Sequence, residues 1–365
     1  MWIPALMQNK TSNDTRPTLC VINYNGANVL PDALEAACRL TDRFGEMLVI
    51  DNGSTDGSVE TVERQFSPFR VVRLGANLGA GGARNAGLRE AASDLILFID
   101  NDVALTAACV DELVGAMESH PRAALAAAAV VYAHRRDTVQ YDGAECHFLG
   151  IQTLLDENRS IAELDPAVRK VGSIVTCCFL ADRARLPADV TFDEEFFYQL
   201  EDHDFGVRVR ARGPEILAVP TALCYHGKGT EGLSIRHTGT YTTKRVYYLI
   251  RNRWLFVLKN YSLRTLLLLA PLFVFYELAQ FAIVLKKRWW TEWGNAVIWI
   301  VRSFPSIVAR RRHIQKHRQV PDREILKGGR IPFRPELTTS PSEDIAHRLL
   351  NFVASSYWAV VRPLI

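Results

Sequence analysis

Asp100-Asn101-Asp102 closes a short apolar run, Leu95 to Ile99, in the stretch DLILFIDNDV. A run of that length, with branched and aromatic members, suits a strand buried on both faces of an α/β sheet. Two carboxylates at i and i+2 just past such a strand are costly unless a charge compensates them. A hard divalent cation bridging to a diphosphate would do so, because Mg²⁺ and Mn²⁺ take oxygen ligands and leave room for phosphate. The bland alternative is an Asx turn followed by a helix cap near Thr106. A second acidic group is Glu201-Asp202-His203-Asp204, after the aromatics Phe196, Phe197 and Tyr198. Acids in a first turn favour the helix dipole. Three in four residues exceed what capping needs, and a carboxylate here can take a proton from an attacking hydroxyl. His226, beside Gly227 at a strand end, suits a third metal ligand.

The elements that must position these groups alternate along the chain. Pro17 to Asn23 reads as a first strand ending in Asn23-Tyr24-Asn25-Gly26, and a helical pattern follows to about Phe44. Met47 to Ile50 is a second strand, running into Asp51-Asn52-Gly53. A helix and a strand over Phe69 to Leu74 come next, then the glycine-rich stretch GANLGAGGARNAG, which opens a helix to about Ala92. Strands and helices of these lengths imply crossover units and a mostly parallel sheet. Ligands of such sheets sit at the carboxyl ends of strands, where Asn23, Asp51 and Asp100 all fall. Asp51 either caps its turn or accepts hydrogen bonds from a base or ribose. Gly79 and its neighbouring glycines allow close backbone approach to phosphate or sugar. Their spacing is not the dinucleotide fingerprint. Arg84, on the same helix, either contacts a diphosphate or makes a surface ion pair. Ala123 to Tyr132 and Gly172 to Leu180 read as strands, Asp156 to Lys170 as an exposed loop, and Glu215 to Val219 as a further strand.

The 365 residues suffice for one large domain with an appendage, and a hydrophobic content of 48% allows a sizeable core. Net charge is only +3, yet Arg251 to the C-terminus holds 19 Lys and Arg against 7 Asp and Glu, leaving 24 against 33 before it. An acidic front and a basic back suggest a catalytic part and a part facing phosphates or an anionic membrane. Nucleic acid is disfavoured, because the basic residues interleave with long apolar runs. The seven cysteines form no C-x-x-C pair and read as buried thiols of a reducing compartment. The N-terminal stretch lacks a basic region followed by a long apolar core, so residues 1–16 read as a loose leader.

In order along the chain, VINYNG, VIDNGSTDGS, NLGAGGARNAG, LILFIDNDV, FDEEFFYQLEDHDFGVRVRARG, the His226 segment and RVYYLIRNRW resemble the inverting, GT-A-fold family-2 glycosyltransferases. The likeness is to their rhamnosyltransferase-like branch. It implies a GT-A, Rossmann-like α/β domain over 17–235, with a mostly parallel mixed sheet flanked by helices. It implies that Asn23, Tyr24, Asp51, Gly79, Arg84 and Asp100 meet the nucleotide sugar, with Asp51 on the base. Asp100 and Asp102 would be the D-x-D pair for Mg²⁺ or Mn²⁺, with His226 as a further ligand. Asp202 would be the base and Glu201 its support. The implied donor is dTDP-rhamnose, with UDP- and GDP-sugars open, and the acceptor a polyprenyl-linked or polysaccharide glycan.

The back third reads as a connecting helix (236–262), hydrophobic and basic membrane-associated helices (263–320), and a tail with an amphipathic helix (321–365). Thr265 to Leu285 is long enough to cross a bilayer but contains Pro271, Glu277 and Gln280. Basic clusters lie on both sides: Arg251, Arg253, Lys259 and Arg264 before, Lys286, Lys287 and Arg288 within, and Arg310, Arg311 and Arg312 after. That favours a re-entrant or interfacial hairpin at the cytoplasmic face of the cell membrane. The alternative is a buried helical pair mediating a homodimer. A processive polysaccharide synthase would carry Gln-x-x-Arg-Trp, and Arg253-Trp254 lacks the Gln. A non-catalytic nucleotide-binding scaffold would not require Asp100, Asp102, Asp202 and His226 together.

Overall fold

The computed structural model describes residues 15–227, 229, 241–331 and 341–365. Most of the expected leader and the part of the connecting segment before 241 lie outside the described residues, as does Lys228. Four short strands open the chain, three of them apolar and buried: β1 (Thr18–Asn23), β2 (Glu46–Asp51) and β4 (Leu95–Asp100), with β3 (Arg70–Arg73) at the exposed edge. Three helices join them: α1 (Leu30–Cys38), α2 (Ser58–Gln65) and α3 (Gly79–Glu90). β1 pairs in parallel with both β2 and β4, and β2 with β3. The chain therefore winds outward from β1 to β3 and then crosses back to β4. That reversal opens a crevice at the carboxyl ends of β1 and β4.

The sheet continues on the far side of β4. It runs through β5 (Val103–Ala104), β6 (Ala123–Tyr132), β7 (Arg135–Tyr141), β10 (Arg169–Lys170), β11 (Cys178–Asp182) and β12 (Glu215–His226). Its order is β10-β12-β6-β11-β4-β1-β2-β3, with β5 on β12 and β7 on β6. β11 lies antiparallel between β4 and β6, while β6 and β12 are parallel, so the sheet is mixed. Helix α4 (Ala107–Ser119) is capped by the Thr106 hydroxyl. α5 is Glu201–Ala211. β8 (Ala144–His147) and β9 (Ile151–Leu154) form a small second sheet with β13 (Leu326–Lys327).

Successive residues of one strand point to opposite faces. Leu19, Val21, Leu97 and Ile99 enter the core under α1 and α4, and Cys20, Ile22, Ile96 and Phe98 the core under α3 and α5. Phe98 stacks on Phe179 at 5.0 Å, and truncating such a fully buried ring costs about 3–5 kcal/mol. All seven thiols are free, and six are buried.

The C-terminal helices are α6 (Thr243–Asn260), α7 (Leu263–Lys286), α8 (Trp290–Lys316) and α9 (Pro341–Val361). A third core joins them to α5 through Val207, Leu255, Phe256, Phe273 and Trp358. α7 is the one described helix long and apolar enough to cross a membrane, with mean hydropathy 2.0.

Three expectations need correction. The strand read over Gly172 to Leu180 starts only at Cys178, because residues 172–177 turn under the crevice, where the Ile174 and Thr176 carbonyls accept from Gln152 and Arg84. The strand read to Val219 runs on to His226, through an irregularity between Val219 and Leu223. Of the basic cluster read before the apolar helix only Arg264 faces outward: Arg251, Arg253 and Lys259 are 6%, 8% and 1% exposed. Arg253 pairs with Glu277, and Lys259 with Asp193 and Asp204. Burying a cation needs such partners, and the acids were there to supply them.

Candidate active site

A cavity of about 700 Å³ opens at the carboxyl ends of β1 and β4. Tyr24, Gly79, Arg84, Asp100, Asp102, Glu201, Asp202 and His226 all line it. They come from five separate stretches of chain, brought together by the sheet order.

β4 delivers Asp100 at its last residue, and the turn after it delivers Asp102. Asn101 between them is buried and donates to Asn23 Oδ1 at 3.1 Å, which fixes the turn to the end of β1. Arg84, 3% exposed on α3, donates to Asp100 at 2.6 Å and to the Thr176 carbonyl at 2.9 Å. Its Nη1 lies 3.9 Å from Glu201. Arg84 Nε and Nη1 and Glu201 Oε2 are buried without a hydrogen-bond partner. Buried polar atoms of this kind are costly, and a ligand carrying matching atoms relieves them.

His226, at the end of β12, has Nε2 3.2 Å from Asp102 Oδ1. Its Nδ1 is 2.8 Å from Gln140 Oε1 on β7. When Nδ1 donates to that amide oxygen, Nε2 faces Asp102 and the cavity, where a cation bridging the two would take its lone pair. Ligand atoms of Asp100, Cys177 and His226 lie within 4.8 Å of one another. The carboxylate and imidazole of that group suit Mn²⁺ or Mg²⁺, with Asp102 beside the imidazole, whereas the Cys177 sulfur is too soft for either.

Glu201 and Asp202 open α5. Burial, with Asp202 next in size, pushes Glu201 up to about 7, and Arg84 opposes. Burial pushes Asp202 up to about 6, against the His203 amide, Arg84 and Gln152. Two neighbouring carboxylates raised toward neutrality suit proton transfer near physiological pH. The loop before them is strained: Phe197, Gln199 and Leu200 have φ of 55°, 71° and 65°. Each such residue costs on the order of 1–3 kcal/mol. Gly79 lies under this loop with φ +78°, and a Cβ there would fall 2.3 Å from the Phe197 carbonyl oxygen. Only glycine fits both demands.

Asn23 and Asp51 do not line the cavity. Asn23 is fully buried and donates to Asp51, Ser54 and Ser58, while Asp51 accepts from the Ser54 amide at 3.3 Å. Asn52 and Asn77 line the cavity beside them. Sequence reasoning missed these two, and also Gln140, Gln152, Thr176 and Cys177. Asn52 followed Asp51 at a strand end and was within reach of the same reasoning. The two glutamines carry no local signal, since distant strand pairing brings them in.

Residues 18–179 match the family described as Glycosyl transferase family 2. Glu201, Asp202 and His226 lie beyond that match. The chain is 28% identical over 260 residues to N-acetylglucosaminyl-diphospho-decaprenol L-rhamnosyltransferase of Mycobacterium tuberculosis, covering 62% of this chain and 83% of the relative. It is 36% identical over 87 residues to undecaprenyl-phosphate 4-deoxy-4-formamido-L-arabinose transferase of Pseudomonas savastanoi, 22% of this chain and 26% of that one. Among solved structures, GalNAc-T7 with UDP, GalNAc and Mn²⁺ superposes with a TM-score of 0.52 at 11% identity, covering 69% of this chain and 49% of that one. S. aureus TarS 1-349 with UDP-GlcNAc gives 0.50 at 18% identity, covering 83% and 88%. These two likenesses are of fold. The family match and the curated relatives agree that residues 18–179 carry a glycosyl transferase family 2 domain, and the solved structures share its fold.

Proposed function

We propose that this chain is an inverting, metal-assisted glycosyltransferase that moves a sugar, with rhamnose the first candidate, from a nucleotide donor to a lipid-linked acceptor. The carrying observation is the convergence of Asp100, Asp102, His226, Arg84, Glu201 and Asp202 on one cavity. The rhamnosyl and arabinosyl relatives, named for polyprenyl-linked substrates, support the donor and acceptor classes. A divalent cation held by Asp102, His226 and Asp100 would supply positive charge to the donor diphosphate. Arg84, already 2.6 Å from Asp100, adds a fixed cation on the same side. Asp202 takes the proton of the acceptor hydroxyl. The hydroxyl oxygen then bonds to the anomeric carbon from the face opposite the diphosphate. The bond to the diphosphate oxygen breaks with its electron pair, so one displacement inverts the centre. Glu201, between Arg84 and Asp202, holds the protonation balance of the pair.

Exposed apolar side chains support work at a membrane surface. Leu263, Leu267, Val274 and Leu278 on α7, Val301 and Phe304 on α8, and Leu349, Phe352 and Val360 on α9 are each half exposed or more. Apolar side chains exposed in this number on three helices suit an interaction surface. The cytoplasmic face is the proposed location, being the side that nucleotide sugars reach. The test is a donor screen with Mn²⁺ and a polyprenyl-diphosphate-linked acceptor, wild type against Asp202→Asn. Transfer or donor hydrolysis that the variant loses supports the reading, and identical behaviour of the two refutes it.

A further inference from the structure

We propose that Arg251 and Asn252 of α6 are positioning residues for sugar transfer: they hold the loop 196–200 in its strained form and so fix where Glu201 and Asp202 stand. This rests on the reading of the cavity as a transferase site. The Asn252 amide nitrogen is 2.9, 2.9 and 2.6 Å from the carbonyls of Phe196, Tyr198 and Gln199. Arg251 donates to the carbonyls of Glu195 and Phe196, and its Nε donates to Asn252 Oδ1 at 2.8 Å. That last bond turns the amide NH₂ of Asn252 toward the loop. Both side chains are buried, Asn252 completely.

The loop needs such a hold. Three of its residues, Phe197, Gln199 and Leu200, sit at positive φ with side chains that disfavour it. Leu200 is also the cap of α5, so its backbone sets the direction in which Glu201 and Asp202 leave. Without Arg251 and Asn252, the carbonyls of Glu195, Tyr198 and Gln199 lose these donors, that of Phe196 keeps the Tyr198 amide, and the loop relaxes toward ordinary dihedrals. The clamp is itself braced. Arg251 lies over the rings of Tyr248 at 4.6 Å and Trp299 of α8 at 4.5 Å. Arg310 of α8 pairs with Asp193 and Glu195, just before the loop. Thus α8, part of the apolar surface, bears on the same five residues that place the acids.

The test uses the full chain with Mn²⁺ and nucleotide, comparing wild type with Asn252→Ala, Arg251→Lys and Trp299→Ala. Loss of placement by about an ångström costs up to roughly a hundredfold in rate. Asn252→Ala is therefore expected to lower kcat ~10–100-fold with little change in donor KM. The acid limb of its pH profile moves to lower pH, as water reaches the two carboxylates. Amide exchange over 197–202 quickens while that of the sheet does not. Trp299→Ala leaves every hydrogen bond of the clamp in place and shows smaller changes of the same sign. Should Asn252→Ala not fold, Arg251→Lys and Trp299→Ala decide. Folded variants with unchanged loop exchange, or with quicker exchange but unchanged kcat and acid limb, overturn the proposal. A wild type inactive on every donor would sink the transferase reading instead, while the exchange measurement would still decide whether the clamp holds the loop.

Discussion

Replacing Arg84 with Met tests the charge balance of the site most directly. The guanidinium stands 2.6 Å from Asp100 and 3.9 Å from Glu201, and it opposes the upward shift of both Glu201 and Asp202. At 3.9 Å a unit charge pair is worth ~1 kcal/mol in water and ~4 kcal/mol at an effective dielectric near 20. The pair is buried at the cavity wall, so the effect is at least the lower figure, and ~1 kcal/mol is a little under one pKa unit. Removing the cation raises both acids further. Asp202 works as a base only when ionised, so activity climbs with pH through its pKa. The acid limb of kcat/KM, expected near pH 6 from Asp202, should therefore move up by about half a unit or more in Arg84→Met. Near neutral pH this shift alone costs about twofold in rate, and loss of a cation beside the donor diphosphate adds ~10–100-fold.

The assay is a pH series from 5 to 9 at saturating Mn²⁺, with Arg84→Lys as companion. Lysine keeps the charge and loses the fork that reaches Asp100 and Thr176 together. It should leave the limb near its wild-type place and still lose rate. A limb that stays or falls in Arg84→Met would show that the base does not feel this guanidinium. The proton-transfer role of the Glu201–Asp202 pair would then be wrong.

Further outcomes follow from the same geometry. Glu201 ionises at about 4.5 when unfolded and about 7 when folded, so the folded state holds the extra proton between those values and stability falls as pH rises through them. Glu201→Gln should then raise Tm by a few degrees at pH 8 and by little or nothing below pH 4.5, as followed by circular dichroism. A variant less stable than wild type at pH 8 would contradict the burial account. Gln140→Ala frees the His226 tautomer and should weaken Mn²⁺ binding ~10–100-fold by titration calorimetry, without any turnover being measured. Leu267→Asp with Leu278→Asp should abolish co-sedimentation with anionic vesicles, leaving the fold intact by circular dichroism, since both residues are about two-thirds exposed.

Strand ends were the legible part of this site. β1, β2 and β4 are short apolar runs that break abruptly into Asn23, Asp51 and Asp100, and a run buried on both faces must end that way. The acids of α5 were legible because their number exceeded the needs of a helix start. What periodicity could not show was the turn at 172–177. It holds Ile174, Val175 and Cys177 like a strand, yet the Ile174 and Thr176 carbonyls are used by Gln152 and Arg84 instead of a neighbouring strand. Gln140 and Gln152 arrive through the pairing of β7 with β6 and of β9 with β8, which no local pattern fixes. The loop 196–200 was invisible for another reason: positive φ at Phe197, Gln199 and Leu200 is imposed by Arg251 and Asn252, more than fifty positions away.

A count of charge over the back third does not tell which helix face carries each cation. Arg251, Leu255 and Lys259 are four apart, one stripe of α6, and Leu255 is fully buried. A core leucine between two cations was the available sign that the cations go inward too. Their partners are acids of the catalytic half, Asp193 and Asp204, together with Glu277 of α7 beside Arg253. Much of the charge asymmetry is thus spent inside the molecule, tying the helices to the loop and to α5. The basic residues left exposed near the apolar faces include Arg264, Lys286, Arg288, Arg302 and Arg312. Each contributes about 1 kcal/mol at most at an anionic surface, and salt screens it. The exposed leucines, valines and phenylalanines of α7, α8 and α9 feel no such screening. On this reasoning detergent releases the protein from membranes and high salt leaves most of it bound, so complete release by salt alone would mean that the apolar faces meet something other than lipid.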